Sequence, residues 1–173
     1  MQATPDLDLL WRHAGLIHKI AYAYCRDATD REDVVQEIAV QLWRSRERYD
    51  PRQRETTWVY RIALNVAISF QRRERRHRER RASIEDQPIA GVEAAEPGEH
   101  VELMLRCIDD LGPLDKALVL LYLDGNDHAS IADVLGISVS NVGTKLFRIK
   151  ERLRVAFDER ARSDPKEPRH AAR

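Results

Sequence analysis

Five side chains toward the C-terminal end, Ser140, Asn141, Thr144, Lys145 and Arg148, share one face of an amphipathic repeat that Ser138 opens. Short hydrogen-bonding groups stand first and cations follow. That combination suits base edges and phosphates in a major groove. A second concentration lies upstream, where Gln71–Arg81 holds seven arginines against two glutamates, a local charge of +5. Guanidinium clusters of this kind hold backbone phosphates. No catalytic constellation accompanies either group. His13, His18, His77, His100, His128 and His170 are scattered without metal-ligand spacing. A glycine-rich phosphate loop, a nucleophile elbow and a paired-carboxylate motif are all missing. Asp109 and Asp110 read as helix surface rather than a metal site. A protein that is not an enzyme, with no metal and no cofactor, is therefore expected.

The formal net charge is zero, which argues against nucleic-acid binding only if charge is spread evenly. It is not. Ala82–Glu102 carries six carboxylates and no Lys or Arg, while Ser138–Arg154 carries five basic residues and one acid. Two cationic blocks flank an acidic strip, which suggests two DNA-facing surfaces joined by a linker. Two cysteines, Cys25 and Cys107, without a Cys-x-x-Cys pair, read as reduced thiols of a cytoplasmic protein. No apolar run reaches membrane-span length and the N-terminus is acidic, so neither membrane insertion nor a secretory signal is expected.

The elements that must position these groups are helices. Glycine and proline number only 7 each in 173 residues, and helix formers dominate. Leu7, Leu10, Trp11, Ala14, Ile17, Ala21 and Tyr24 form one stripe over Asp6–Arg26. Val34, Val35, Ile38, Ala39 and Leu42 form the next, with Thr29 or Asp30 as its expected N-cap. Pro51 ends that unit. Trp58, Ile62, Ala63, Val66 and Phe70 form a third, leading into the arginines; Trp58 is expected in the core. The spacing predicts an all-α chain of two small helical domains: an N-terminal domain over 5–81, a flexible acidic linker over 82–98 holding Pro88, Gly91, Pro97 and Gly98, a C-terminal domain over 99–161, and a polar tail over 162–173.

Within the second domain Val101, Met104, Leu105, Ile108 and Leu111 resume the helical pattern. Gly112-Pro113 starts a helix through Leu114, Leu118, Leu121 and Tyr122. Asp127 then caps a short helix over His128–Leu135, with Ala132 small at a close crossing. Gly136 takes the left-handed turn position, Ile137 fills the gap, and Ser138 caps a second helix whose buried stripe is Val142, Leu146, Ile149 and Leu153. This is a helix-turn-helix; an ordinary helical hairpin with a solvated charged face is the competing interpretation.

The order of motifs is more specific. Asp30-Arg31-Glu32-Asp33-Val34-Val35-Gln36-Glu37 precedes Leu42-Trp43, and Thr57-Trp58-Val59-Tyr60-Arg61-Ile62-Ala63-Leu64-Asn65 precedes the arginines. This resembles region 2 of the extracytoplasmic-function (ECF) group of bacterial sigma factors, and Gly112–Phe157 resembles their region 4. The resemblance implies a subunit that binds core RNA polymerase and opens promoter DNA. Asp30, Glu32, Asp33, Gln36 and Glu37 would then dock on the β′ clamp helices, and region 4 on the β flap. Tyr60, Arg61, Asn65 and Ser69, lying off the Trp58 stripe, would capture unpaired bases of the minus-10 element. Arg72, Arg73, Arg75 and Arg76 would hold its phosphates. Ser138, Ser140, Asn141, Thr144, Lys145 and Arg148 would read the minus-35 element, and an anti-sigma factor is a further implied partner. Asn126, Ser130, Asn141 and Gly143 depart from the family's usual residues. Two other functions fit the residues: a free-standing helix-turn-helix regulator, and an adaptor that binds polymerase or a sigma inhibitor without melting DNA.

Overall fold

The computed structural model describes residues 5–81, 108 and 110–163. The expected linker, most of the helix expected over Val101–Leu111, and the end of the tail lie outside the described residues. The described residues form α1 (Pro5–Arg12), α2 (Ala14–Tyr24), α3 (Ala28–Ser45), a 3-10 turn (Arg46–Arg48), α4 (Glu55–Arg81), α5 (Pro113–Leu123), α6 (His128–Leu135) and α7 (Val139–Ser163).

The first expected helix is two. It breaks at His13 (φ −108°, ψ 10°) and ends at Tyr24 rather than Arg26. Glu55, at the start of α4, accepts hydrogen bonds from Arg12 (2.7 Å) and pairs with His13 (2.8 Å), tying the break to a distant helix start. The cap of α3 is Asp27, not Thr29 or Asp30. Its carboxylate accepts from the amides of Thr29 (2.9 Å) and Asp30 (3.3 Å), satisfying two of the orphan donors of a helix start. Those bonds hold the Asp27 carboxyl below the usual range.

Helices α2, α3 and α4 pack on one another around Ile20, Val34, Ile38 and Leu42, all essentially inaccessible. Each such side chain contributes about 1.5–3 kcal/mol on burial. Trp58 joins them at 8% exposure, its ring tilted against Tyr49 with centroids 4.9 Å apart. In the C-terminal half, α5, α6 and α7 enclose Leu118, Leu121, Ile131 and Val142.

The two halves are in contact, which the stripe of α4 did not anticipate. Besides α2 and α3, α4 packs against α5 and α6. Its buried residues are accordingly Thr57, Trp58, Val59, Tyr60, Ala63, Leu64 and Ala67, with Ile62, Val66 and Phe70 only half-buried. A helix that faces two partners has a wider apolar arc than a single stripe. Lys116 of α5 is 2% exposed. Its ammonium donates to the Ala23 carbonyl (3.1 Å) and lies over the Tyr24 ring. It sits at the negative C-terminal end of α2. Tyr24 donates in return to the Pro113 carbonyl (2.7 Å).

Candidate nucleic-acid interface

The helix-turn-helix is built by local turn chemistry. Asp127 accepts from the Ser130 amide at 2.7 Å, which starts α6, and this bond keeps its carboxyl below the usual range. Gly136 closes α6 in the left-handed conformation at φ 66°, where any L side chain is strained. Ser138 accepts from the Asn141 amide at 3.2 Å and begins α7. Val142, Leu146 and Ile149 are buried beneath. Ser138, Ser140, Asn141, Thr144 and Arg148 all remain exposed on the outer face. Lys145 is half-buried and lies 3.8 Å from Asp115 of α5, so one of the expected phosphate contacts is drawn inward. Gly143 does not belong to the outer face. A Cβ there would meet the His128 ring of α6 at 3.8 Å.

Along α4, Asn65, Ser69, Arg72, Arg73, Arg75 and Arg76 are exposed. Tyr60 and Arg61 are not the free groups expected. Tyr60 is 6% exposed, and its hydroxyl donates to Asp124 at 2.5 Å. Burial, then the Asp124 carboxylate, push its acidity well below that of an ordinary phenol. Arg61 donates to the Asp133 carbonyl (2.7 Å) and carboxylate (3.1 Å). Asn126, one of the departures from the usual family residues, donates to the Leu121 carbonyl at 2.9 Å, capping the end of α5 beside Tyr60.

On α3, Glu32, Asp33, Gln36 and Glu37 are exposed, and Glu32 and Gln36 border a hollow of about 320 Å³ with His18, Tyr22, Arg31 and Val35. Asp30 is set apart. It is half-buried and lines the cleft between the halves, close enough to Cys25 to help push that buried thiol up to about 12. Three exposed apolar residues beside the acids, Tyr22, Val40 and Trp43, went unmarked as surface. The spacing Gln36, Val40, Trp43 (four, then three residues) was the available signal.

Two family descriptions match the chain: Sigma-70 region 2 over residues 9–77 and Sigma-70 region 4 over residues 102–153. The RNA polymerase sigma factor CarQ of Myxococcus xanthus is 30% identical over 156 residues, covering 88% of this chain and 88% of CarQ. The RNA polymerase sigma factor CnrH of Cupriavidus metallidurans is 29% identical over 162 residues, covering 87% of this chain and 85% of CnrH. The chain belongs to the ECF group of sigma factors. Two solved structures share its fold. One is the sigma factor RpoE of Bartonella quintana in complex with the anti-sigma factor NepR, with a TM-score of 0.72 and 15% identity over 90% of this chain and 98% of that one. The other is CnrH in complex with the cytosolic domain of CnrY, with a TM-score of 0.64 and 24% identity over 89% and 88%.

As an ECF sigma factor the protein works with RNA polymerase in promoter recognition and transcription initiation. The region 2 match runs from within α1 to within α4, and the region 4 match takes in α5, α6 and most of α7, with the helix-turn-helix. Among the described residues, no helix is long and apolar enough to cross a membrane, and no group of three His, Cys, Asp or Glu residues is placed to hold a metal.

Proposed function

We propose that this sigma factor docks on the β′ clamp helices through Glu32, Asp33, Gln36 and Glu37, with Val40 and Trp43 adding apolar area beside the acids. Asp30, turned into the cleft, serves the local fold instead. Tyr60, Arg61, Asn65 and Ser69 capture bases of the opened minus-10 element, by stacking and by edge hydrogen bonds. Arg72, Arg73, Arg75 and Arg76 hold its backbone. Ser138, Ser140, Asn141, Thr144 and Arg148 face the minus-35 major groove, with Lys145 joining them once released from Asp115. The functional units run over 5–81 and 99–161, the protein acts in the cytoplasm without catalysing a reaction itself, and region 4 also meets the β flap. An anti-sigma factor is a further partner, supported by one structural neighbour being a sigma factor in complex with an anti-sigma factor.

The observation that carries the minus-10 assignment is the exposure of Asn65, Ser69, Arg72, Arg73, Arg75 and Arg76 along one helix. Small polar groups precede a cationic track there, as a strand leaving a base pocket requires. Transcription in vitro with purified core polymerase tests it. Asn65→Ala combined with Tyr60→Ala should lose permanganate-reactive open complexes while core binding is retained. Unchanged opening would leave the protein as an adaptor, and tight duplex binding without polymerase would favour a free-standing regulator.

A further inference from the structure

The cations of α7 are not all turned outward. Lys145, Arg148 and Arg152 follow Asn141 at steps of four, three and four residues, so the four side chains lie along one flank of the helix. Arg148 is exposed, as the minus-35 face requires. The cations on either side of it converge on a single carboxylate. One oxygen of Asp115, on α5, lies 3.8 Å from the Lys145 ammonium, and the other accepts from the Arg152 guanidinium at 3.4 Å. The Asp115 side chain is 25% exposed, against 40% for Lys145 and 58% for Arg152. Asp115 stands in the first turn of a helix that Gly112 opens without a side-chain cap, and the helix dipole alone favours an acid there. That accounts for a carboxylate at the start of α5. It does not account for two cations, two turns apart on another helix, both reaching it.

The geometry points to Asp115 as the residue that sets the grip of region 4 on duplex DNA, by holding Lys145 and Arg152 back from the phosphates. It also makes Arg152 a phosphate-binding residue alongside Lys145 and Arg148. The inference rests on the minus-35 surface proposed above. All the groups it uses lie within the region 4 match. Released from Asp115, the three cations form a continuous track along about 10 Å of helix. A carboxylate and a phosphate are alternative acceptors for the same charged donors, so a DNA contact by Lys145 or Arg152 must first break a bridge inside region 4. Each cation that reaches a phosphate releases a condensed counterion, and holding two back lowers the affinity and flattens its dependence on salt. Phosphate contacts carry no sequence information. With two of the three cations withheld, base reading by Ser140, Asn141 and Thr144 supplies a larger share of the binding, and duplexes without the element are held less.

The test compares the full wild-type chain with Asp115→Asn, which keeps the shape of the side chain and removes its charge. Asp115→Ser, a second neutral residue suited to a helix start, is measured beside it, and urea midpoints show that each variant folds. Fluorescence anisotropy with a short labelled duplex of mixed sequence is recorded over a range of salt concentrations. Both variants should bind about threefold to tenfold more tightly at low salt, since an exposed bridge holds back its cation by up to about fivefold. The slope of log affinity against log salt should steepen by about 0.9 for each cation released. A residue that only supports the start of α5 would move the urea midpoint and leave that slope alone. In the Asp115→Asn background, Lys145→Ala and Arg152→Ala should each remove part of the gain, and each should cost more there than in the otherwise wild-type chain. Unchanged affinity and slope in both neutral variants overturn the inference. If Lys145→Ala then still weakens the wild-type chain, Lys145 already grips DNA and the minus-35 surface stands. If neither alanine changes binding in either background, the place of Lys145 in that surface fails together with the inference. A gain that survives the removal of both cations comes from lost repulsion between Asp115 and DNA, and overturns the inference as well.

Discussion

Gly143 sits in the first turns of the helix that faces DNA, and replacing it with alanine gives a sharply signed expectation. Glycine in a helix interior is about 1 kcal/mol less favourable than alanine, because it loses more backbone freedom on folding. That gain is realised only if the added methyl has room. Gly143 is not among the glycines with positive φ, so alanine takes its backbone conformation without strain. The nearest atoms to an added Cβ are those of the His128 ring at 3.8 Å, an ordinary van der Waals distance. Nothing offsets the entropic term, and Gly143→Ala should stabilise the protein by about 0.5–1 kcal/mol. For a chain of this size that raises the melting temperature by roughly 1–4 °C. Urea unfolding followed by circular dichroism, with the midpoint compared at constant slope, is the assay. Because the methyl points toward α6 and away from the outer face, affinity for duplex minus-35 DNA should not change. A midpoint that falls would mean the glycine is required for the packing of α6 on α7. A changed DNA affinity at higher stability would mean that position 143 faces the groove after all.

Truncating Ile131, fully buried between the helices of the region 4 fold, to alanine should cost about 2–5 kcal/mol, seen as a lower urea midpoint. Acid should weaken the helix starts at Asp27 and Asp127. Both carboxyls are held below their ordinary range by backbone amides. Their contribution is complete above the unfolded carboxyl range near pH ~4 and is lost as pH falls through the folded values. Asp127→Ala should remove part of the loss in unfolding midpoint between neutral and acid pH; an unaltered pH profile would contradict the cap. Cys25 is buried, with its thiol pushed up to about 12, so thiol reagents should modify it far more slowly in the native chain than in urea. Equal rates would place it at the surface.

How far the sequence could be read depended on how far apart in the chain the causes lay. Asp127, Gly136 and Ser138 act on neighbours within three or four residues, and α6 begins and ends where those residues require. The acidic face of α3 was legible for the same reason, although the choice of cap was not. Asp27, Thr29 and Asp30 are all competent caps within one turn, and only Asp27 points its carboxylate back at the helix start. The break at His13 was hidden because its partner, Glu55, is 42 residues away. Tyr60 was hidden in the same manner, with Asp124 at a separation of 64 residues. Periodicity reports that a residue is off the main stripe; it does not report whether a second element covers it.

That distinction bears on how α4 works. A helix that only packs in a core can be apolar on one arc, and a helix that only binds DNA can be polar on the rest. Here one arc meets α2 and α3, and an adjoining arc meets α5 and α6. Under the proposed function, the residues on the second arc must be tolerable both when covered and when facing nucleic acid. Tyrosine meets that demand, since its ring can be buried while its hydroxyl keeps a partner. Arginine meets it through a guanidinium that forks onto a carboxylate as readily as onto a phosphate. A purely apolar residue at position 60 would leave Asp124 without the hydroxyl donor it has here, and would offer no donor to DNA in the proposed role. A lysine there would face the cost of burying its charge. Tyr60 and Arg61 therefore suit both the packed setting they have here and the minus-10 role proposed for them.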